Sequence, residues 1–124
     1  MKHCTRLSIS VLVAIVGLGF ASKTVMAQDV VQVAPQQYKV LLDNERVRVI
    51  EYQSKPGEKA GMHAHPASVA YFLSPAKLKF TSPDGKTAEV EVKAGQATWQ
   101  DPDTHTTENA GTTNAHALII ELKK

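Results

Sequence analysis

Short runs of alternating hydrophobic and polar residues cover most of the chain, and this is the pattern of β-strands. Residues 77–81 and 87–92 place apolar and polar side chains on opposite faces of an extended segment. After the first 27 residues, apolar positions do not recur at helical spacing over ten or more residues. The other candidate strands are the runs 38–42, 46–53, 69–73, 97–100, 105–109 and 116–122. The pattern therefore predicts an all-β fold.

Turn-forming residues separate these candidate strands at close and regular intervals. Residues 43–44 (Asp-Asn) and 83–85 (Pro-Asp-Gly) fit tight turns, and the segment 54–61 contains a proline and two glycines, as expected of a loop. About eight short strands joined in this way indicate a sandwich or barrel. We expect a single domain over residues 38–124, a closed or nearly closed β-barrel, preceded by a polar arm or linker at residues 28–37.

The core of this domain is expected to be small and mainly aliphatic. Aromatic residues make up only 6% of the sequence, and a domain of under about 100 residues buries a limited share of its surface. Trp99 and Tyr71 are expected to pack in the core or to line a cavity. The modest core also favours a homodimer, in which pairing of two chains would bury more apolar surface.

The first 27 residues have the features of a secretory signal peptide. Lys2 and Arg6 precede an uncharged apolar run at residues 11–20, and residues 25–27 (Val-Met-Ala) suit a signal peptidase. The apolar run is short for a membrane span, which needs roughly 20 residues. We therefore predict cleavage near Ala27 and a periplasmic or secreted protein, rather than one that keeps the segment as an anchor.

Removing this segment changes the charge and the cysteine content of the chain. It takes away three basic residues and leaves 11 basic against 12 acidic side chains, a net charge of −1. No basic patch then points to nucleic acid or to a membrane surface as a partner. The only cysteine, Cys4, also lies in the segment, so the remaining chain can form neither a disulfide nor a thiolate metal site.

Histidines supply the most specific chemical signal in the predicted domain. His63 and His65 are two residues apart, so on a strand both side chains point to the same face. His105, which begins a later candidate strand after the Asp-Pro-Asp turn at residues 101–103, is the best candidate for a third ligand. Three neutral imidazoles suit a divalent transition metal such as Fe, Zn, Ni, Mn or Cu.

Two further polar residues have less specific interpretations. His116 shares a strand face with Leu118 and Ile120, which predicts a core or rim histidine, with a contact to the site as the alternative. Asn109 shares a face with His105 and is expected to fix a turn or the wall of the barrel.

The arrangement of glycines and histidines resembles the two motifs of the cupin superfamily. The matching residues are Gly57, His63 and His65 in the first motif and Gly95, His105 and Asn109 in the second. The resemblance extends from about residue 40 to residue 122. It is greatest to small single-domain cupins, some of which are called β-alanine degradation proteins. It implies a jelly-roll barrel with a metal held by histidines and dioxygenase or isomerase chemistry on a small molecule.

The first motif departs from the family pattern at one ligand. The family places a metal-binding glutamate shortly after the paired histidines, but residues 66–70 read Pro-Ala-Ser-Val-Ala and contain no carboxylate. The resemblance therefore implies a site of three histidines, His63, His65 and His105, with solvent or a ligand in the open positions.

The sequence leaves three kinds of function open and identifies no catalytic residue. The chain is either a metalloenzyme acting on a small organic acid or amino-acid-derived metabolite, or a periplasmic barrel that binds a metal or small molecule without turnover. The third alternative is a structural barrel that binds partners and keeps its histidines without a metal.

Overall fold

The computed structural model describes residues 28–124 together with Gly17. The predicted signal peptide, residues 1–27, otherwise lies outside the described residues. Within the described part, no helix is long and apolar enough to cross a membrane.

Two five-stranded sheets make up the domain and confirm the all-β prediction. In the first sheet the strand order is β1-β4-β9-β6-β7, and in the second it is β2-β3-β10-β5-β8. The strands are β1 (Gln28–Asp29), β2 (Tyr38–Asp43), β3 (Val47–Ser54), β4 (Lys59–His65), β5 (Ser68–Phe72), β6 (Ala76–Thr81), β7 (Thr87–Val92), β8 (Ala97–Gln100), β9 (Asp103–Asn109) and β10 (Ala115–Leu122).

The strands form two sheets, and within the described residues they do not pair into a fully closed barrel. Hydrogen-bonded pairing ends at β7 in the first sheet and at β8 in the second. Each sheet buries one face against the other, which covers the core without continuous strand pairing around it. Short alternating strands joined by turns are expected of a sandwich and of a barrel alike, so the sequence pattern does not distinguish the two.

Residues 28–37, predicted to be an arm or linker, are packed against the domain. Strand β1 pairs in parallel with β4, with Gln28 opposite His63. A single helical turn, α1 (Val30–Val33), follows, and the Asp29 carboxylate caps it by accepting from the Val31 N–H at 2.9 Å. Val30 is fully buried. The segment is therefore an edge arm that belongs to the folded domain.

The core lies between the two sheets and is built from rings and small aliphatic side chains. Tyr38 and Tyr52 stack with their ring centroids 4.8 Å apart. Buried residues around them include Ile50, Phe72 and Leu78. Strand β10 contributes the small residues Ala115 and Ala117 to the same core.

The orientation of β10 differs from the one predicted. Its buried face carries Ala117, Ile119 and Glu121, while Leu118, Ile120 and His116 point to the outside of the second sheet. His116 is therefore not a core residue. It is half-buried, and its Nε2 lies 3.0 Å from a carboxylate oxygen of Glu51. Leu118 and Ile120 are large and apolar but face outwards. The sequence pattern therefore assigned the wrong face of β10 to the core.

Trp99 and Tyr71 also lie outside the core, in contrast to the prediction. Trp99 is 59% exposed and Tyr71 is 38% exposed, and they occupy the outer face of the neighbouring strands β8 and β5. Asn109 agrees with its prediction, because it is fully buried and fixes a turn. Its side-chain amide donates to the carbonyls of Ser54 and Thr113 at 3.0 and 2.9 Å.

Candidate metal centre

Two neighbouring strands of the first sheet bring the three predicted histidines together. His63 and His65 lie on β4, and His105 lies on β9 directly opposite His63 in the strand register. A register shift between Ala60 and His63 marks a bulge immediately before the pair. All three rings face the interior and are at most 7% exposed. A nitrogen from each ring lies within 4.8 Å of the others.

The Nδ1 atom of each ring is held by a different oxygen acceptor. His63 Nδ1 lies 2.7 Å from the Gly61 carbonyl, a bond within β4 itself. His65 Nδ1 lies 3.1 Å from Glu121, and His105 Nδ1 lies 2.8 Å from Asp103. A carbonyl or carboxylate oxygen can only accept, so each Nδ1 carries the hydrogen. In the neutral rings, each Nε2 therefore keeps its lone pair for a ligand.

The residues present fit a metal ion held by these Nε2 atoms. His63 Nε2 is buried and has no hydrogen-bond partner within the described residues, which is unusual for a buried polar atom. Histidines that bind metals commonly donate their other ring N–H to a carboxylate or carbonyl, as all three do here. A tetrahedral ion with bonds of about 2.0–2.1 Å would separate its ligand atoms by about 3.4 Å. The ring nitrogens lie within 4.8 Å of one another, which leaves room for an ion between them.

Burial also favours the uncharged form of the rings. Desolvation lowers the pKa of His63 to about 4, although the hydrogen bond to the Gly61 carbonyl acts in the opposite direction. Desolvation lowers the pKa of His105 as well, against the effect of its bond to Asp103. A metal ligand must be unprotonated, and both rings meet that condition at neutral pH.

Glu121 is a residue of the site that the sequence reasoning missed. It is only 2% exposed, and its second carboxylate oxygen accepts from Arg48 Nε at 2.7 Å. Arg48 in turn pairs with Asp29 at 2.6 Å. Burial alone would lower the pKa of Arg48, but the two carboxylates together raise it. A chain of charged contacts thus runs from the N-terminal arm to the ring of His65.

The signal for Glu121 was present in the sequence, in the last strand. Glu121 shares a face with Ala117 and Ile119, and once that face is known to be the buried one, an acidic residue on it must have a partner there. The five residues that follow His65 contain no carboxylate, and the structure instead provides one from the last strand.

A cleft of about 380 Å³ opens beside the histidines. Two of the rings, His65 and His105, form part of its wall. The other lining residues are Phe80, Ala88, Gln100, Asp101, Pro102 and Asp103. Two of these are acidic and none is basic. Both carboxylates already accept hydrogen bonds, Asp103 from His105 and Asp101 from the indole N–H of Trp99 at 3.0 Å.

Several solved structures are similar to this chain, and three of them are described as cupins or as proteins with a double-stranded β-helix. A cupin domain from Bordetella pertussis Tohama I is 27% identical over 70% of this chain and 92% of its own, with a TM-score of 0.65. The chain has the cupin fold. An RmlC-like cupin with a double-stranded β-helix from Methanocaldococcus jannaschii is 12% identical, covers 69% of this chain and 78% of its own, and has a TM-score of 0.57.

A third cupin-fold neighbour supports the same conclusion about architecture. An uncharacterised protein with a double-stranded β-helix domain from Klebsiella pneumoniae is 18% identical over 71% of this chain and 85% of its own, with a TM-score of 0.54. No protein-family model matches the chain, and no curated protein matches it in sequence. At these identities the likeness of the second and third neighbours concerns the fold.

Within this cupin fold, the predicted histidines separate into two groups. His63, His65 and His105 meet between the sheets beside the cleft. His116 lies on the outer side of the second sheet and takes no part in the cluster. The arrangement can hold a divalent metal and can admit a small molecule next to it.

Proposed function

We propose that the protein is an exported cupin that binds a divalent transition metal through Nε2 of His63, His65 and His105. The observation that carries the proposal is the state of the ring nitrogens. Every Nδ1 is held by an acceptor, and the buried Nε2 of His63 has no partner within the described residues. The donor set of three imidazoles suits Fe, Zn, Ni, Mn or Cu.

The cleft beside the rings suggests how a small molecule would be held. A bound ion with open coordination positions would polarise a carbonyl, activate water or bind oxygen. Phe80 and Ala88 provide an apolar wall, and Gln100 provides a neutral hydrogen-bonding group. Among the residues that the structure describes, no lysine or arginine lines the cleft, so a carboxylate would find its positive partner in the metal. We propose dioxygenase or isomerase chemistry on a small organic acid or amino-acid-derived metabolite, in line with the resemblance to β-alanine degradation proteins.

A specific observation also favours a second candidate, a cupin that binds a metal or small molecule without turning it over. A general acid or base needs a group that is free to exchange a proton with the substrate. Both carboxylates of the cleft are already hydrogen-bonded, Asp101 to Trp99 and Asp103 to His105. The cleft therefore offers binding groups more clearly than it offers catalytic ones.

Metal titration of matched histidine variants tests the shared part of both candidates. His63→Ala and His105→Ala should each lower the affinity for Zn²⁺ or Ni²⁺ by more than the roughly 10- to 100-fold that loss of a supporting hydrogen-bond partner costs, because each removes one of three ligands. His116→Ala should leave the affinity unchanged and is the matched control. Equal binding by all of these proteins would refute the metal site. The metal-loaded protein would then be incubated with small organic acids. Formation of a product would support the enzyme, and binding without product would support the non-catalytic cupin.

A further inference from the structure

The N-terminal arm, residues 28–37, is attached to the strand that carries two of the three histidines. Strand β1 of the arm pairs with the edge of β4, and Gln28 lies opposite His63. At the other end of the arm, the side-chain amide of Gln37 donates to the carbonyl of Lys59, the first residue of β4, at 3.0 Å. The arm is therefore joined to β4 near both of its ends.

Asp29, in this arm, uses its two carboxylate oxygens for different contacts. One oxygen accepts from the Val31 N–H at 2.9 Å and caps the helical turn α1. The other forms an ion pair with Arg48 at 2.6 Å. A cap needs only a hydrogen-bond acceptor, which asparagine provides about as well as aspartate. The ion pair needs the negative charge, so one substitution can separate the two contacts.

Three nitrogens of the Arg48 guanidinium are in use, and their distribution determines how Glu121 is held. Nε and Nη2 both approach the same Glu121 oxygen, Oε1, at 2.7 and 2.5 Å. Nη1 pairs with Asp29. The second oxygen of Glu121, Oε2, lies 3.1 Å from Nδ1 of His65. Each oxygen of the buried carboxylate thus has its own partner, the guanidinium for Oε1 and the imidazole for Oε2.

This distribution differs from the pairing that an arginine and a carboxylate commonly adopt. In that pairing, two parallel N–H groups bind both carboxylate oxygens. The contact with Asp29 holds the third nitrogen of Arg48 and fixes the guanidinium in the observed orientation. Without that contact, the guanidinium would be free to turn towards both oxygens of Glu121. It would then compete with His65 for Oε2.

Burial makes such a competition consequential, because water does not readily replace a lost partner. The side chains of Glu121 and His65 are 2% and 5% exposed, and that of Arg48 is 18% exposed. Buried polar groups bond to the partners that surround them. A change in the orientation of Arg48 would therefore be passed to Glu121 and from there to the ring of His65.

We propose that the N-terminal arm is a functional part of the metal centre and that Asp29 is its positioning residue. By holding one nitrogen of Arg48, Asp29 keeps the second oxygen of Glu121 for His65. The inference rests on the proposed metal site, to which it adds a residue that contacts none of the three ligands. We expect Asp29→Asn to weaken Zn²⁺ binding about 3- to 10-fold, less than the roughly 10- to 100-fold lost with a partner bonded directly to a ligand.

Zn²⁺ titration of the full chain near neutral pH tests this expectation. Asp29→Asn keeps an acceptor for the Val31 N–H, so the variant should retain the native circular dichroism and lose only the ion pair. Glu89→Gln is the matched control, because it removes the same charge from an exposed residue that pairs with Lys77 at 3.4 Å. The control should bind Zn²⁺ as the wild-type protein does.

NMR of the imidazole N–H groups in the metal-free protein reports the position of His65 independently of overall stability. The Nδ1–H of His65 donates to Glu121 in a buried contact, so its signal depends on that carboxylate. The signal should move in Asp29→Asn and stay in place in Glu89→Gln.

A double-mutant cycle tests whether Asp29 acts through Glu121. In a Glu121→Gln background, Asp29→Asn should have little further effect on Zn²⁺ affinity, because both changes act on the same contact. Wild-type affinity or an unmoved His65 signal in Asp29→Asn, or losses that simply add in the double variant, would overturn the proposal. If His63→Ala also binds as the wild type does, the metal site fails with it. If His63→Ala loses binding, only the role of Asp29 fails.

Discussion

Replacing Glu121 by glutamine would test whether the buried carboxylate prepares His65 for metal binding. One carboxylate oxygen accepts from His65 Nδ1 at 3.1 Å, and the other accepts from Arg48 Nε at 2.7 Å. Glutamine has a similar shape, but only one of its two terminal atoms can accept. Either His65 or Arg48 would then face an amide N–H group. The ring of His65 would lose the negative charge of the Glu121 carboxylate in either case, and it would also lose its orientation if the amide N–H group faced it.

The size of the effect follows from the position of Glu121 beyond a ligand. Loss of such a supporting partner costs about 10- to 100-fold in metal affinity, which is about 1.4–2.8 kcal/mol. The free energy of unfolding should fall by about 1–3 kcal/mol, because one buried group loses its partner. Arg48 limits this loss, since it keeps its ion pair with Asp29 at 2.6 Å.

Calorimetric titration with Zn²⁺ at pH 7.5, combined with thermal unfolding in the presence of a chelator, would measure the two effects separately. Glu108→Gln is the matched control, because it removes the same charge from a residue that pairs with Lys59 at 3.8 Å on the outer side of β9. Wild-type affinity in Glu121→Gln would refute the role of the carboxylate. An equal loss of affinity in both variants would show that net charge, rather than contact with His65, is responsible.

Three further predictions concern the pH dependence, the packing and the processing of the chain. His63 has a pKa of about 4 in the folded protein and an ordinary pKa of about 6.5 when unfolded. Its contribution to the stability of the metal-free protein, up to about 3 kcal/mol, should therefore be complete above pH 6.5 and be lost as the pH falls to 4. Urea unfolding at several pH values should show this slope, and His63→Gln should lose most of it. Asn109→Ala should cost about 1–3 kcal/mol, because the buried carbonyl of Ser54 loses its donor and the Thr113 carbonyl loses one as well; an unfolding temperature like that of Thr106→Ala, on the outer face of the same strand, would contradict this. Mass spectrometry of the exported protein should show Gln28 as its first residue, and a full-length product would count against the signal peptide.

The three histidines could be predicted from the sequence because their placement depends on local geometry. His63 and His65 share a face by the period of two that any strand imposes. His105 required only a neighbouring strand, and the resemblance to the cupins provided it. The structure places all three side by side, with His63 and His105 opposite each other in the register.

The direction in which the strands of the second sheet face could not be predicted in the same way. Alternation identifies the core face only when the other face is polar. In β10 both faces are apolar, and the larger residues Leu118 and Ile120 point outwards while Ala117 points inwards. The same ambiguity misplaced Trp99 and Tyr71. It also concealed Glu121, because an inward acid becomes apparent only after the inward face is known.

The contacts behind His65 join distant parts of the chain. Asp29 in the first strand, Arg48 in β3 and Glu121 in the last strand must all be in place before the ring of His65 is held. The ring of His65 is therefore held only in the folded domain. A metal that binds there and not to the unfolded chain would stabilise the packing of the N-terminal arm and the last strand together with the cluster itself.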